Sequence, residues 1–258
     1  MIVSPYELIL YSSQDHVSFL TNKVDADDHS HHYIQLTVGL EQNVAITVEG
    51  QPMQASGFIL QSNVTHQLQG LRQWQWYILI NPESTFGELV KRTYLKDSCV
   101  YVLDKNQATK LQQLAVERIF SVNGQAEYDT AMQLCMQILR INENNQKPDL
   151  DDRIQEVLHV IDTYPPHQLT VKDLSRHIYI SESRLSHIFK NKVGISLASY
   201  IVHHKLETAF QAVFSGKSMT DAAVDAGFSS SSHFSRTVRD KLGMTARAIV
   251  QHSRFLKV

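Results

Sequence analysis

The sequence predicts an α+β chain of two domains, a strand-rich unit with trailing helices followed by an all-helical unit. Apolar residues recur at period two until about residue 103 and at helical period from about residue 105 onward. A polar stretch, Asn142-Glu143-Asn144-Asn145-Gln146-Lys147-Pro148-Asp149, separates the two regions, and its proline disfavours helix at Lys147. Downstream, two segments about 48 residues apart repeat one pattern. The expected domains are therefore 1–145 and 150–258.

The elements follow in order. Tyr33 to Val38 places Ile34, Leu36 and Val38 on one face of a strand, and Val44, Ile46 and Val48 do the same. Glu49-Gly50-Gln51-Pro52 supplies a turn, and Trp74, Trp76, Ile78 and Ile80 form a further alternating strand. From Lys105 to Val122 a helical stripe holds Leu111, Leu114, Ala115 and Ile119; from Glu127 to Ile141 another holds Ala131, Cys135, Ile138 and Leu139. With Leu134, these stripes exceed what one sheet face needs to cover, which predicts that one helix pairs with its counterpart in a homodimer. After the polar stretch every element is expected to be helical. Asp151 and Asp152 favour the positive end of a helix carrying Ile154, Val157, Leu158 and Ile161, and Pro165-Pro166 stops it.

Composition narrows the function classes. The 258 residues, 43% hydrophobic and 19% charged, exclude collagen, coiled-coil and low-complexity chains. No run approaches the roughly 18 apolar residues of a membrane span, and Met1 to Leu20 has no basic segment ahead of an apolar core. The expected location is the cytoplasm. Cys99 and Cys135 lie far apart in unlike contexts, supporting neither a disulfide framework nor a thiolate metal site. Residues 1–150 hold 10 Lys+Arg against 16 Asp+Glu, net −6, whereas residues 151–258 hold 14 against 10, net +4, with eight of the 13 histidines. A basic, His-rich half behind an acidic one points to a polyanion-binding module.

The repeat identifies that module. Leu169-Thr170-Val171-Lys172-Asp173-Leu174-Ser175-Arg176-His177-Ile178-Tyr179-Ile180-Ser181 aligns with Ser218-Met219-Thr220-Asp221-Ala222-Ala223-Val224-Asp225-Ala226-Gly227-Phe228-Ser229, pairing Leu174 with Ala222 and Ile180 with Phe228. One residue is then inserted in the second copy. Beyond it Ser183 to Lys190 aligns with Ser232 to Arg239, and the copies close with Gly194-Ile195-Ser196 and Gly243-Met244-Thr245. Each copy predicts a short helix starting at a Thr cap, a tight turn and a second helix, with Ser175 and Ala223 small enough for close crossing. The second helices turn outward Ser183, Arg184, Ser186, His187, Lys190 and Asn191 in copy one, and Ser232, His233, Ser235, Arg236, Arg239 and Asp240 in copy two. Such faces can hydrogen-bond base edges and phosphates of double-stranded DNA. Between the copies, Ser196 to Phe214 forms one continuous linker helix.

These residues resemble the AraC/XylS family of bacterial transcription regulators, above all Ala222-Ala223-Val224-Asp225-Ala226-Gly227-Phe228-Ser229-Ser230-Ser231-Ser232-His233-Phe234-Ser235-Arg236. Departures are Thr245 where the family usually has proline, His204-Lys205 in place of an Arg-rich stretch, and Val238 for a customary Phe. The resemblance covers about residues 151–258 and implies a transcription regulator, an activator, that binds promoter DNA through helix-turn-helix 1 (about 170–193) and helix-turn-helix 2 (about 219–242). It also implies RNA polymerase as a partner and an N-terminal cupin-like β barrel, followed by helices, that senses a small-molecule effector and dimerises. The candidate effector residues are His31, Tyr33, His66, Trp74 and Trp76, with Leu36, Phe58 and Tyr77 in the same expected barrel interior. His29-Ser30-His31-His32 and, further on, Gly57 and His66 are the cupin-like signature, and His29 and His31 are expected to share a strand face. Metal cupins add a carboxylate where this chain has Gln35, so no metal, cofactor or catalytic residue is assigned. The alternative function is a metal-dependent cupin enzyme whose helical half serves for targeting or assembly.

Overall fold

A computed structural model describes all residues except 1, 3, 14, 24, 32, 83, 142–151, 194, 243 and 244. The expected interdomain stretch, Asp151, His32, Gly194, Gly243 and Met244 thus lie outside the described residues. In chain order the elements are β1 (Leu8–Ser12), β2 (His16–Thr21), β3 (Asp25–His29), β4 (Ile34–Gly39), β5 (Val44–Val48), β6 (Gln51–Ala55), β7 (Gly57–Leu60), β8 (His66–Gln69), β9 (Gln75–Ile80), α1 (Thr85–Tyr94), β10 (Val100–Val102), α2 (Lys105–Glu117) and α3 (Gln125–Ile138). There follow α4 (Asp152–Thr163), α5 (Val171–His177), α6 (Glu182–Val193), α7 (Leu197–Phe214), α8 (Met219–Asp225), α9 (Ser231–Leu242), α10 (Ala246–Val250) and β11 (Ser253–Lys257). The chain divides into two compact units: one of Met1–Pro82, Phe86–Asn142 and Val238–Val258, the other of Glu83–Thr85 and Glu143–Thr237.

The first unit contains a seven-stranded sheet in the order β10-β7-β4-β9-β2-β1-β11 and a four-stranded sheet in the order β3-β8-β5-β6. Every pairing is antiparallel except β1 with β11. The turn between β5 and β6 holds Glu49 at φ 47° and Gly50 at φ 80°, the two left-handed positions of a type I′ hairpin. Alternation along the central strands sorts side chains between two faces. Ile9, Tyr11, Leu20, Leu36, Val38, Ile59, Trp74, Trp76 and Ile78 pack with Ala108, Leu111, Ala115, Tyr128, Ala131 and Cys135 of α2 and α3. The Tyr11 hydroxyl donates to the Ile119 carbonyl at 2.5 Å, tying β1 to the segment after α2, and within the sheet the Trp76 indole N–H of β9 donates to Ser18 Oγ of β2 at 2.9 Å.

Three features depart from the expectation. The stretch before residue 103 includes α1, whose Phe86 and Val90 are buried in a helix too short to stand out among strands. β9 is buried on both faces, because a central strand with cover on each side has no solvent-facing row. The region after the polar stretch is not wholly helical, since β11 pairs in register with β1, Leu8 opposite Ser253 through Ser12 opposite Lys257. Its run of Phe255 and Leu256 is too short to announce a strand; what specifies it is the open edge of β1.

In the second unit, α4 ends before Pro165-Pro166 as expected, and Ile154, Val157, Val160 and Ile161 share a core with Leu174, Leu185, Phe189, Leu197 and Tyr200.

Candidate nucleic-acid interface

The two helix-turn-helix copies are built by the same local bonds. Thr170 accepts from the Asp173 N–H at 3.1 Å, and Ser218 accepts from the Asp221 N–H at 3.1 Å, so each first helix starts at a hydroxyl cap. The second cap is Ser218, not the threonine the pattern suggested. In the turns, the Ile180 N–H donates to the Ser175 carbonyl at 3.1 Å and the Phe228 N–H to the Ala223 carbonyl at 3.0 Å. Both turns need one left-handed residue, which is Tyr179 at φ 56° in the first and Gly227 at φ 80° in the second. The recognition helices then start at Ser181 and Ser230, which accept from the N–H groups of Arg184 at 3.3 Å and His233 at 3.0 Å. The sequence reading missed these two caps, although a serine three residues ahead of a polar helical position is a legible signal.

Below this frame, Leu185 and Phe234 occupy equivalent, fully buried positions. Phe234 meets Phe210 edge-on at 5.6 Å and Phe228 at 5.3 Å between ring centroids. On the outer faces, Ser183, Arg184, His187, Lys190 and Asn191 of α6 are exposed and Ser186 is half-buried. On α9, Ser232, His233, Arg236, Arg239 and Asp240 are exposed and Ser235 is half-buried. Asn191 Nδ2 lies 3.0 Å from His187 Nε2, and His233 Nδ1 lies 3.0 Å from Ser229 Oγ, contacts that orient each ring along its helix. Among the described residues, Arg184, Arg236 and Arg239 have no carboxylate partner. Each recognition helix therefore offers guanidinium and hydroxyl donors to an outside acceptor.

The helix-turn-helix domain family matches residues 174–252. The probable transcriptional regulator LumQ of Photobacterium leiognathi is 25% identical over 227 residues, 84% of this chain and 89% of its own length. Residues 174–252 thus carry a helix-turn-helix domain, and the chain as a whole is similar to transcription regulators. An uncharacterized HTH-type transcriptional regulator of Staphylococcus aureus is 28% identical over 118 residues, covering 44% of this chain and 16% of that longer protein. Among solved structures, ToxT from Vibrio cholerae O395 aligns over 94% of this chain and 95% of its own, at a TM-score of 0.47 and 10% identity. Among the described residues, no helix is long and apolar enough to cross a membrane.

The departures from the AraC pattern leave the frame intact. Thr245 caps α10 by accepting from the Ala248 N–H at 3.2 Å, as Ser196 caps α7 by accepting from Ser199 at 3.2 Å. Val238 is fully buried. Lys205, half-buried on α7, reaches the Gly227 carbonyl at 3.5 Å, and burial lowers its pKa.

The strand-rich unit holds a histidine cluster. His29 and His66 are register partners on β3 and β8, with ring centroids 4.2 Å apart. His31 lies beyond the end of β3, so the expectation that His29 and His31 share one strand face is corrected; its ring is 5.1 Å from His66 and 5.8 Å from His29. His31 Nδ1 is 3.1 Å from the Tyr33 carbonyl and Nε2 is 2.9 Å from Gln35 Oε1, while Gln35 Nε2 donates to Thr37 Oγ1 at 2.9 Å. Burial lowers the His31 pKa and pushes His66 down to about 4, which keeps both rings neutral. The remaining candidate effector residues do not all meet there. Tyr33 is buried near His31, but Leu36, Trp74 and Trp76 belong to the face packed on α2 and α3. Phe58 and Tyr77 alternate onto the opposite face, where Tyr77 stacks on Phe19 at 4.8 Å.

Proposed function

We propose that this AraC-type chain is a transcription activator that reads double-stranded promoter DNA with α6 and α9, working as a homodimer whose strand-rich, cupin-like unit responds to a small-molecule effector. In this reading 1–145 senses and dimerises, 150–258 carries the DNA-binding elements, and RNA polymerase is the partner at the promoter. The observation that supports it is the doubled frame: two recognition helices with matching caps and turn bonds, one exposing Arg184 and the other Arg236 and Arg239, none with a carboxylate partner among the described residues. The 18 residues of α7 span about 27 Å, close to the roughly 34 Å between successive major grooves on one face of a duplex. Ser183, Arg184, Ser186, His187, Lys190 and Asn191 would serve one groove, and Ser232, His233, Ser235, Arg236 and Arg239 the next.

Binding of the full chain to promoter DNA from its own genomic neighbourhood is expected to weaken with salt at a log-log slope of about −4 to −8, the release expected from roughly 5 to 9 phosphate contacts. A slope near zero, or no binding, would remove the DNA-binding reading.

The dimer surface is smaller than the stripes suggested. Leu111, Leu114, Ile119, Cys135 and Leu139 are buried in the unit's own core and Ile138 is partly buried against it, leaving Leu134, 37% exposed, and Val116, 45% exposed. Leu134 borders a groove with Val122, Ala126, Thr130 and Ala131. Leu134→Glu is expected to give a folded monomer in sedimentation that binds one half-site without cooperative occupancy of two. A wild-type chain that is monomeric at micromolar concentration would exclude constitutive pairing.

A further inference from the structure

We propose that His29, His31 and His66 form a binding site for a divalent transition-metal ion, with Zn²⁺ as the occupant the donor set fits best. One ring nitrogen from each of the three histidines lies within 4.8 Å of the others. A second and independent observation concerns His66, which is 1% exposed. Its Nδ1–H donates to the Val64 carbonyl at 2.9 Å, which fixes the tautomer and leaves the Nε2 lone pair unprotonated. That buried Nε2 has no hydrogen-bond partner among the described residues. Buried acceptors are nearly always satisfied, and an orphaned imidazole lone pair within a cluster of three histidines is the arrangement a metal ion satisfies.

The surroundings match what orients a ligating histidine. A metal-bound imidazole keeps its other nitrogen on a carbonyl or carboxylate, as His66 does with Val64 and His31 does with Tyr33. Three imidazoles with no carboxylate among them select zinc, cobalt, nickel or copper over calcium and magnesium, which require oxygen donors. Zinc–nitrogen bonds of about 2.0–2.1 Å in tetrahedral geometry hold ligand nitrogens about 3.3 Å apart. The cluster is open by up to about 1.5 Å relative to that spacing, and His29 is its half-buried member. Gln35 holds its amide oxygen 2.9 Å from His31 Nε2, close to where a fourth donor or an outer acceptor would stand. With neutral ligands only, the ion's two charges are uncompensated at the site, so replacing Gln35 by a carboxylate should strengthen binding.

The site is independent of the DNA-binding reading and is tested without DNA. The full chain, stripped with chelator and dialysed against limiting Zn²⁺ or Co²⁺, is expected to retain about one ion and to gain the visible absorption of low-symmetry cobalt. Zn²⁺ is expected to raise its melting temperature by mass action. His66→Ala should weaken the affinity at least tenfold and abolish the thermal shift, while His159→Ala, on α4, should leave both unchanged. Gln35→Glu should tighten binding at least tenfold, a gain that misfolding cannot mimic. The proposal is overturned if the wild type retains no ion, if His66→Ala binds as tightly as the wild type, or, should His66→Ala fail to fold, if Gln35→Glu leaves the affinity unchanged.

Discussion

Gly227→Ala is expected to destabilise the helical unit by about 2 to 5 kcal/mol, although it adds a single methyl group. The backbone there sits at φ 80°, a region that costs an alanine roughly 1–2 kcal/mol. The new Cβ would also stand 2.8 Å from both the His167 Cα and the Pro166 carbonyl oxygen, and forcing a methyl against backbone costs about 1–3 kcal/mol more. The first copy offers an internal control. Tyr179 takes the same role at φ 56°, but its side chain is 93% exposed and meets no obstruction, so Tyr179→Gly should change stability by no more than about 1 kcal/mol. Both tryptophans lie on or beside β9 in the other unit, so denaturation followed by far-ultraviolet circular dichroism reports the helices while tryptophan fluorescence serves as the reference. Equal midpoints for Gly227→Ala and the wild type would mean that the close approach of the 166–167 backbone does not constrain the turn.

Phe234→Ala and Arg236→Ala, two residues apart on α9, should fail in different assays. Phe234 is fully buried between Phe210 and Phe228, and removing its ring should cost on the order of 3–5 kcal/mol of stability. Arg236 is exposed, so its loss should leave unfolding within about 0.5 kcal/mol of the wild type. It should nevertheless cost about 1–3 kcal/mol of DNA affinity, concentrated at one base position, because a guanidinium can bridge the two acceptors of guanine. A uniform loss across all DNA sequences would make Arg236 a phosphate contact; a melted domain would make it structural.

The helical half was legible because its signals are local and occur twice. Caps, a left-handed turn residue and an apolar stripe each depend on a few neighbouring residues, and the 48-residue offset repeats them, so α5 to α9 were expected nearly as they stand. The strand-rich unit was legible only in outline. Ile34, Leu36 and Val38 announce a strand, but nothing in that alternation says which sheet it joins or that Trp74 and Trp76 turn toward α2 and α3. The histidine cluster shows the same limit. His29 meets His66 through a pairing of β3 with β8 that is nonlocal and irregular, with a register shift between Ala26 and His29, and His31 joins them from beyond the end of β3. Spacing along the chain could place the three residues in one region but not show that the His66 Nε2 is buried without a partner.

The parallel ladder between β1 and β11 changes how the chain can be taken apart. The strand-rich unit is assembled from segments on both sides of the helical one in the sequence, since Val238–Val258 belongs to it. Five register pairs and a hydrogen bond from the Val258 N–H to the Ser12 carbonyl at 2.9 Å secure that last segment. A single nick introduced by an engineered protease site between residues 142 and 151 would therefore leave two fragments that co-migrate under native conditions and separate only on denaturation. Fusion partners added after Val258, which is 6% exposed, would have to emerge from the sheet edge, whereas an expressed 150–258 fragment would carry β11 without the strand it was made to pair with.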